Sequence, residues 1–215
     1  MENINLINKF FEKVYVITCK DFTDRQNYIK KHFSKFNIKF EFYCSTSPSL
    51  LISNCISKSE LSLLNSHLNC IINSKLNGYK NVLICEDDVE FIDDLYEQFY
   101  KFYKILPNDW DLMQLGNQFW ATHWLKREYI DDNLYRFLWG TGSHCIGINQ
   151  KSYDDIIQVF TEYSDPTDFM YYKLFNTLKC YCPEHFLVDS LSKNNHLNHF
   201  NSKYVFDSTI NHINL

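Results

Sequence analysis

At 215 residues the chain has the length of one domain and can bury a real hydrophobic core. With 45% apolar and 22% charged residues it has the balance of a soluble globular protein, which excludes a mainly disordered chain. A formal charge of −5 and a pI near 5.9 leave no basic field for neutralising phosphates, so nucleic acid is not an expected partner.

Ala121 is the only alanine, and Arg25, Arg127 and Arg136 are the only arginines, a bias that suggests an AT-rich coding sequence rather than a chemistry. Asn3, Asn5 and Asn8 interrupt the first ten residues, which therefore lack the apolar core of a signal peptide. No later run approaches 18 apolar residues, so no transmembrane segment is expected and a cytoplasmic location is predicted. Eight cysteines without a CxxC pair, in a chain too long for a small disulfide scaffold, read as free thiols, with Cys180 and Cys182 alternating along a strand.

In chain order, Val14 to Thr18 is a β-branched and aromatic run that predicts a strand, and Thr23 or Asp24 can cap a helix reaching about Phe36. Ile38 to Tyr43 predicts a second strand, followed by a Ser-rich loop from Cys44 to Ser57. Ser57-Lys58-Ser59-Glu60 matches a capping box, and Leu61, Leu64, Leu68, Ile71 and Leu76 recur at helical spacing until Asn77-Gly78. Val82-Leu83-Ile84 is a continuous apolar run, as in a strand covered on both faces. Asp93 or Asp94 can cap a helix running through Leu95, Phe99, Phe102 and Ile105, and Asp111 to Leu115 predicts another strand.

From Asn117 to Phe137 the pattern is not periodic, and both an acceptor-side loop and an irregular hairpin fit it. Cys145 to Ile148 predicts a strand, Ser152 to Tyr163 a helix, and Asp165-Pro166-Thr167-Asp168 a helix start with proline in the first helical position. Strands alternating with helices imply a single α/β sandwich over residues 1–215, with a mostly parallel central sheet and a ligand crevice outside the carboxyl ends of its strands.

The sharpest chemical signal is Glu86-Asp87-Asp88, three carboxylates leaving a buried strand. Their repulsion calls for compensation, which a hard divalent cation supplies. Glu86 and Asp88, two apart, can project toward one ion of Mn²⁺ or Mg²⁺. A nucleoside diphosphate suits such a centre, because the ion stabilises charge developing on the leaving phosphate. Solvated turn residues or a helix cap are the competing reading of the same triplet.

The order of motifs resembles glycosyltransferase family 25, the group of lipooligosaccharide and collagen galactosyltransferases. The resemblance spans most of the chain: Val14-Tyr15-Val16-Ile17 with Arg25, Ser66-His67, Ile84 to Phe91, Trp110 to Gly116, Gly140-Thr141-Gly142-Ser143-His144, Ile146 to Lys151, and Pro166-Thr167-Asp168. It implies a GT-A fold, a UDP-sugar donor, Mn²⁺ dependence and transfer of a hexose, galactose or glucose, with inversion onto a hydroxyl of a glycan or protein acceptor. The chain departs from the family at Cys85, where leucine is usual, and at Asp189-Ser190 with Ser192, where glutamine and serine are usual.

On this reading Glu86 and Asp88 are the metal ligands, and Thr18, Arg25, His67 and Asp87 belong to the donor side. Thr18 ends the first strand, where a base or ribose is expected, with capping of its own loop as the alternative, and the Arg25 fork suits a diphosphate or the ordering of the nucleotide loop, with a solvated helix-face arginine as the alternative. His67 fits either a donor contact or a satisfied core histidine. An inverting transfer needs a base, for which Asp168 is the candidate; metal ligation and simple support of a helix N-terminus are its alternatives. A late histidine among His185, His196, His199 and His212 can also reach a metal, and Gly140 and Gly142 suit a tight turn at the site. A glycosyltransferase-like binding or assembly module without turnover stands as the alternative function. Metal-dependent phosphoester hydrolysis is disfavoured, because it wants acids on more strand ends.

Overall fold

The structure is a computed structural model describing residues 5–45, 56–117 and 125–191. Its main sheet holds β1 (Lys13–Thr18), β2 (Glu41–Cys44), β3 (Asn81–Glu86), β5 (Leu112–Gln114), β6 (Lys126–Asp131), β7 (Leu134–Trp139), β8 (Cys145–Asn149) and β9 (Cys180–Cys182), in the order β2-β1-β3-β8-β5-β9-β7-β6. β2, β1 and β3 are mutually parallel, as are β5 and β9. β8 lies antiparallel between β3 and β5, and β7 lies antiparallel between β9 and β6. Six of the eight strands therefore run one way, as expected, and β7 and β8 run against them. A second, two-stranded sheet pairs β4 (Val89–Phe91) with β10 (Val188–Ser190) antiparallel.

Side-chain alternation along the strands divides the core in two. Val14, Val16, Leu83, Cys85 and Met113 face α1 (Leu6–Phe10), α2 (Thr23–Lys35) and α4 (Leu95–Lys104) through Ile7, Ile29, Phe33, Phe99 and Phe102. Tyr15, Ile17, Ile84, Leu112 and Ile146 face α3 (Lys58–Leu76), α5 (Tyr153–Phe160) and α6 (Thr167–Tyr172) through Leu64, Leu68, Ile71, Ile156, Phe160 and Tyr171. The result is the expected three-layer α/β/α sandwich. Because α2 and α3 lie on opposite faces, the chain leaves β1 to one side for β2 and returns on the other side to β3, so the carboxyl ends of β1 and β3 form a topological switch point.

The capping box closes α3 as predicted: the Ser57 hydroxyl accepts from the Glu60 amide at 3.2 Å, and Glu60 accepts from the Ser57 amide at 2.9 Å. Other boundaries differ from expectation. Phe22, not Thr23 or Asp24, is the N-cap of α2, with no side-chain cap bond. Ile38 belongs to the end of α2 instead of β2, because Asn37 turns left-handed (φ 52°) and the amides of Asn37 and Ile38 bond the carbonyls of Ser34 and Phe33 in a Schellman closure. Asp94 occupies the N-cap of α4, but its carboxylate accepts from the Gln98 side chain and not from a backbone amide. Pro166 is the N-cap of α6, one position before the predicted one, and α5 ends at Phe160, short of Tyr163. Of the two readings for 117–137, the hairpin holds over Lys126–Trp139, while residues 118–124 lie outside the described ones. The short elements α1, β4 and β10 have no clear sequence signal.

All seven cysteines among the described residues are free thiols, with Cys180 and Cys182 buried as expected. Among the described residues no helix is long and apolar enough to cross a membrane.

Candidate functional site

β3 delivers the acid triplet to the switch point, and its three carboxylates go to three different sets of partners. Asp87 turns toward the end of β1. Its Oδ2 accepts from the Thr18 hydroxyl at 2.6 Å, and its Oδ1 accepts from the Arg25 guanidinium at 2.8 Å. Asp87 is buried, whereas the Arg25 side chain is 43% exposed, so the guanidinium bridges a buried anion and solvent. Burial works against the Arg25 charge, but the hydrogen bond and charge of Asp87, with Asp88 and Glu86 behind it, hold its pKa above the ordinary value. The predicted donor-side residues Thr18, Arg25 and Asp87 thus form one hydrogen-bonded cluster.

Glu86 points toward β8, where its Oε1 accepts from the Ser143 hydroxyl at 2.8 Å. Although the residue keeps some solvent contact at the strand end, its carboxyl is raised well above the usual range, first by lost hydration and then by the charge of Asp88. Asp88 is held from the second sheet: its Oδ2 accepts from the Ser190 hydroxyl at 2.7 Å, and its carbonyl accepts from the Leu191 amide. Asp88 Oδ1 is buried with no hydrogen-bond partner among the described residues.

His144 precedes β8, and its carbonyl accepts from the Glu86 amide at 2.9 Å. Its ring is buried, and neither nitrogen has a partner in hydrogen-bond geometry among the described residues. Burial lowers its pKa, while the Asp88 charge and the nearby Val188 carbonyl pull the other way. Gly116 makes room for this ring, since a Cβ there would lie 2.2 Å from Nε2 of His144.

The donor set fits a hard cation in part. A carboxyl raised by the charge of its neighbour, and a neighbour with a buried unpartnered oxygen, are what a dication relieves. Among the described residues no three His, Cys, Asp or Glu side chains converge into a complete protein cage. An ion here would therefore be held by Glu86 and Asp88 and completed by substrate oxygens and water, the usual mode for Mg²⁺.

Asp168, the first acidic residue of α6, is partly exposed beside the Gly140–Ser143 loop. Its Oδ1 accepts from the Phe169 amide at 3.1 Å. Burial raises its pKa despite amide hydrogen bonds from Phe169 and Gly142, and Asp168 in turn acts electrostatically on Glu86. Gly142 has φ +106°, a left-handed backbone that glycine alone adopts easily. With Trp139, Gly140, Thr141, Phe169 and Tyr172, Asp168 lines a narrow crevice on the loop that also carries Ser143, the Glu86 partner.

His67 is fully buried on α3, its Nδ1 3.2 Å from the Tyr171 hydroxyl, and burial lowers its pKa to about 3. Of its two readings this is the placement of a core histidine. His185 is exposed between β9 and β10, and Ser192, His196, His199 and His212 lie outside the described residues. Sequence reasoning assigned no role to Ser143, His144 or Ser190; for the first two the only available signal is their place in the Gly140–His144 motif.

No protein-family model matches the chain, and no curated protein sequence matches it. Three solved structures resemble its layering weakly. A glycosyltransferase involved in glycosylation of the major capsid of PBCV-1 is 8% identical, with 71% of this chain and 66% of that chain covered and a TM-score of 0.44. A197 from STIV is 13% identical, with 79% of each chain covered and a TM-score of 0.44. Mannose-1-phosphate geranyltransferase from Thermus thermophilus is 8% identical, with 81% of this chain and 60% of that chain covered and a TM-score of 0.42. Similarities of this size say nothing of what this chain binds or does.

Proposed function

We propose that the chain is a metal-dependent glycosyltransferase that moves a hexose, galactose or glucose, from a UDP-sugar to a hydroxyl of a glycan or protein acceptor, with inversion. One observation carries the reading: at the switch point the acid triplet is divided, Asp87 neutralised by Arg25 and Thr18, while the Asp88 charge bears on Glu86 and Asp88 keeps a buried, unpartnered oxygen among the described residues. Two carboxylates placed two residues apart at a strand end suit Mn²⁺ or Mg²⁺.

When bound, such an ion supplies charge stabilisation for a departing diphosphate. The protein's own residues do the rest. Ser143 and Ser190 fix the orientation of Glu86 and Asp88 by hydroxyl hydrogen bonds. The half-exposed Arg25 guanidinium offers further donors toward an anion at the mouth, its orientation set by Asp87. Asp168 has the raised pKa and partial exposure of a general base that must take a proton from an acceptor hydroxyl.

The reading is tested by UDP release from a panel of UDP-sugars, with and without Mn²⁺, in the wild type and Asp88→Asn. Metal-dependent release reduced about a hundredfold or more in the variant is expected, the usual size for loss of a charge-stabilising contact. If neither turnover nor calorimetric binding of UDP with Mn²⁺ is found, the transferase reading falls and a non-catalytic module takes its place.

A further inference from the structure

We infer that Cys85 and Cys145 are a redox-sensitive thiol pair that closes into a cross-strand disulfide and so clamps the strand ends carrying the acid triplet. The pair does not rest on the transferase reading above, since it concerns the same strand ends whatever their ligand.

The hydrogen-bond ladder sets the pair. β3 and β8 run antiparallel with Cys85 opposite Cys145. The Glu86 amide bonds the His144 carbonyl at 2.9 Å, while the Cys145 carbonyl turns the other way and accepts from the Leu115 amide at 3.2 Å. Glu86 and His144 are therefore a hydrogen-bonded pair, and Cys85 and Cys145 occupy the next, non-hydrogen-bonded position, where opposed side chains come closest. The Cα separation usual at such a position, about 4.5 Å, lies within the span of a disulfide, about 4.4–6.8 Å. Both thiols are free and buried, and their sulfurs are in contact at 3.6 Å. Packing alone is met by any small apolar pair here, and only two thiols can also form a bond.

The neighbouring rung is the site. Glu86 follows Cys85, and Ser143 and His144 precede Cys145, with the Ser143 hydroxyl bonding Glu86 at 2.8 Å. A bond between the sulfurs thus fixes, one residue away, the separation of the strand that carries the acids from the loop that orients Glu86. The oxidant is a small, uncharged peroxide. One sulfur takes an oxygen from hydrogen peroxide as a sulfenic acid and releases water; the second thiol displaces that hydroxyl as a second water. Two S–H bonds are lost, one S–S bond forms, and two electrons pass to the peroxide; a dithiol reductant returns them by exchange. Burial and the Cys85 thiol push the Cys145 thiol well above its ordinary pKa, so the reduced pair persists until the strand ends open.

The experiment treats the intact, reduced chain with hydrogen peroxide, removes the excess with catalase and maps the cysteines by mass spectrometry of an unreduced digest. A peptide linking Cys85 to Cys145 is expected. Because these residues lie 60 positions apart, the melting temperature should rise by about 5 °C or more. Exchange of the Glu86 amide should slow about tenfold, and dithiothreitol should reverse both changes. The gain should vanish in Cys85→Ala and in Cys145→Val, each compared oxidised against reduced, and persist in Cys44→Ser, which removes an exposed thiol. Absence of the linked peptide once Cys44 is oxidised overturns the inference. A linked peptide with no rise in melting temperature, or with unchanged Glu86 exchange, overturns the clamp, as does an equal gain in both Cys85→Ala and Cys145→Val.

Discussion

Asp87 shows how much of the site depends on single side chains. Its hydrogen bond to Thr18 joins residues 69 positions apart, and its ion pair with Arg25 joins residues 62 apart. Removing the hydroxyl in Thr18→Val leaves one buried carboxylate oxygen unsatisfied and should cost about 1–3 kcal/mol in urea unfolding. Arg25→Met leaves the buried Asp87 carboxylate without its counter-charge and should cost at least as much in stability, and it should weaken UDP binding more than Thr18→Val does. Equal losses of UDP affinity in both variants would mean that Arg25 acts only through Asp87. Gly116→Ala places a methyl group against the His144 ring and 2.9 Å from the Val188 carbonyl, a backbone atom that cannot swing aside. A loss of about 1–3 kcal/mol is expected, read by thermal unfolding. The triplet and Thr18 were legible in the sequence because acids after an apolar run and a polar residue at a strand end are local patterns, whereas Arg25, inside α2, was singled out only by the resemblance. Ser143 and Ser190 were not, since a hydroxyl becomes a carboxylate partner only when folding brings it there.

Among the elements, α3 was the most legible, because its capping box and apolar spacing agree. Ser57→Ala should cost about 1 kcal/mol, measured by urea unfolding, since the Glu60 amide then loses its acceptor. By contrast, β4 and β10 are three residues each and depend on each other and on α2. His32 on α2 lies stacked between Tyr28 and Phe91, and its Nε2 accepts from the Phe91 amide at 2.8 Å. That bond fixes the short strand that follows the acid triplet, and no periodicity announces it. β8 was legible as a strand but not as an antiparallel one. Direction is set by how the chain returns from the β6–β7 hairpin, which brings the Gly140–His144 loop to the same edge of the sheet as the ends of β1 and β3.

At the scale of the whole molecule, neutral buried histidines make stability depend on pH. Burial, with Lys35 adding to it and Asp93 opposing, lowers the His32 pKa to about 4, against an ordinary 6.5. The unfolded chain therefore binds this proton first as pH falls. Stability contributed by His32 is complete above about pH 6.5 and is lost toward pH 4, by up to about 3 kcal/mol. His67, at about 3, extends the same trend to lower pH. The raised Glu86 carboxyl works the opposite way, so the assignment is read from a difference: between pH 7 and 4.5 the urea midpoint of the wild type should drop relative to that of His32→Leu, although that variant starts lower for want of an acceptor for Phe91. Identical slopes in the two proteins would contradict the assignment. Local sequence was enough to determine the α/β alternation, the capped α3, the buried β3 and the acids that follow it, because each rests on contacts within a few residues or on one side chain's preference for burial. Strand order, the two strands that run against the rest, the division of the acid triplet among Arg25, Ser143 and Ser190, and the crevice shared by residues 139–141 and 168–172 came only from the folded chain. These depend on which distant segments bury each other's apolar faces, a long-range balance that no window of the sequence contains.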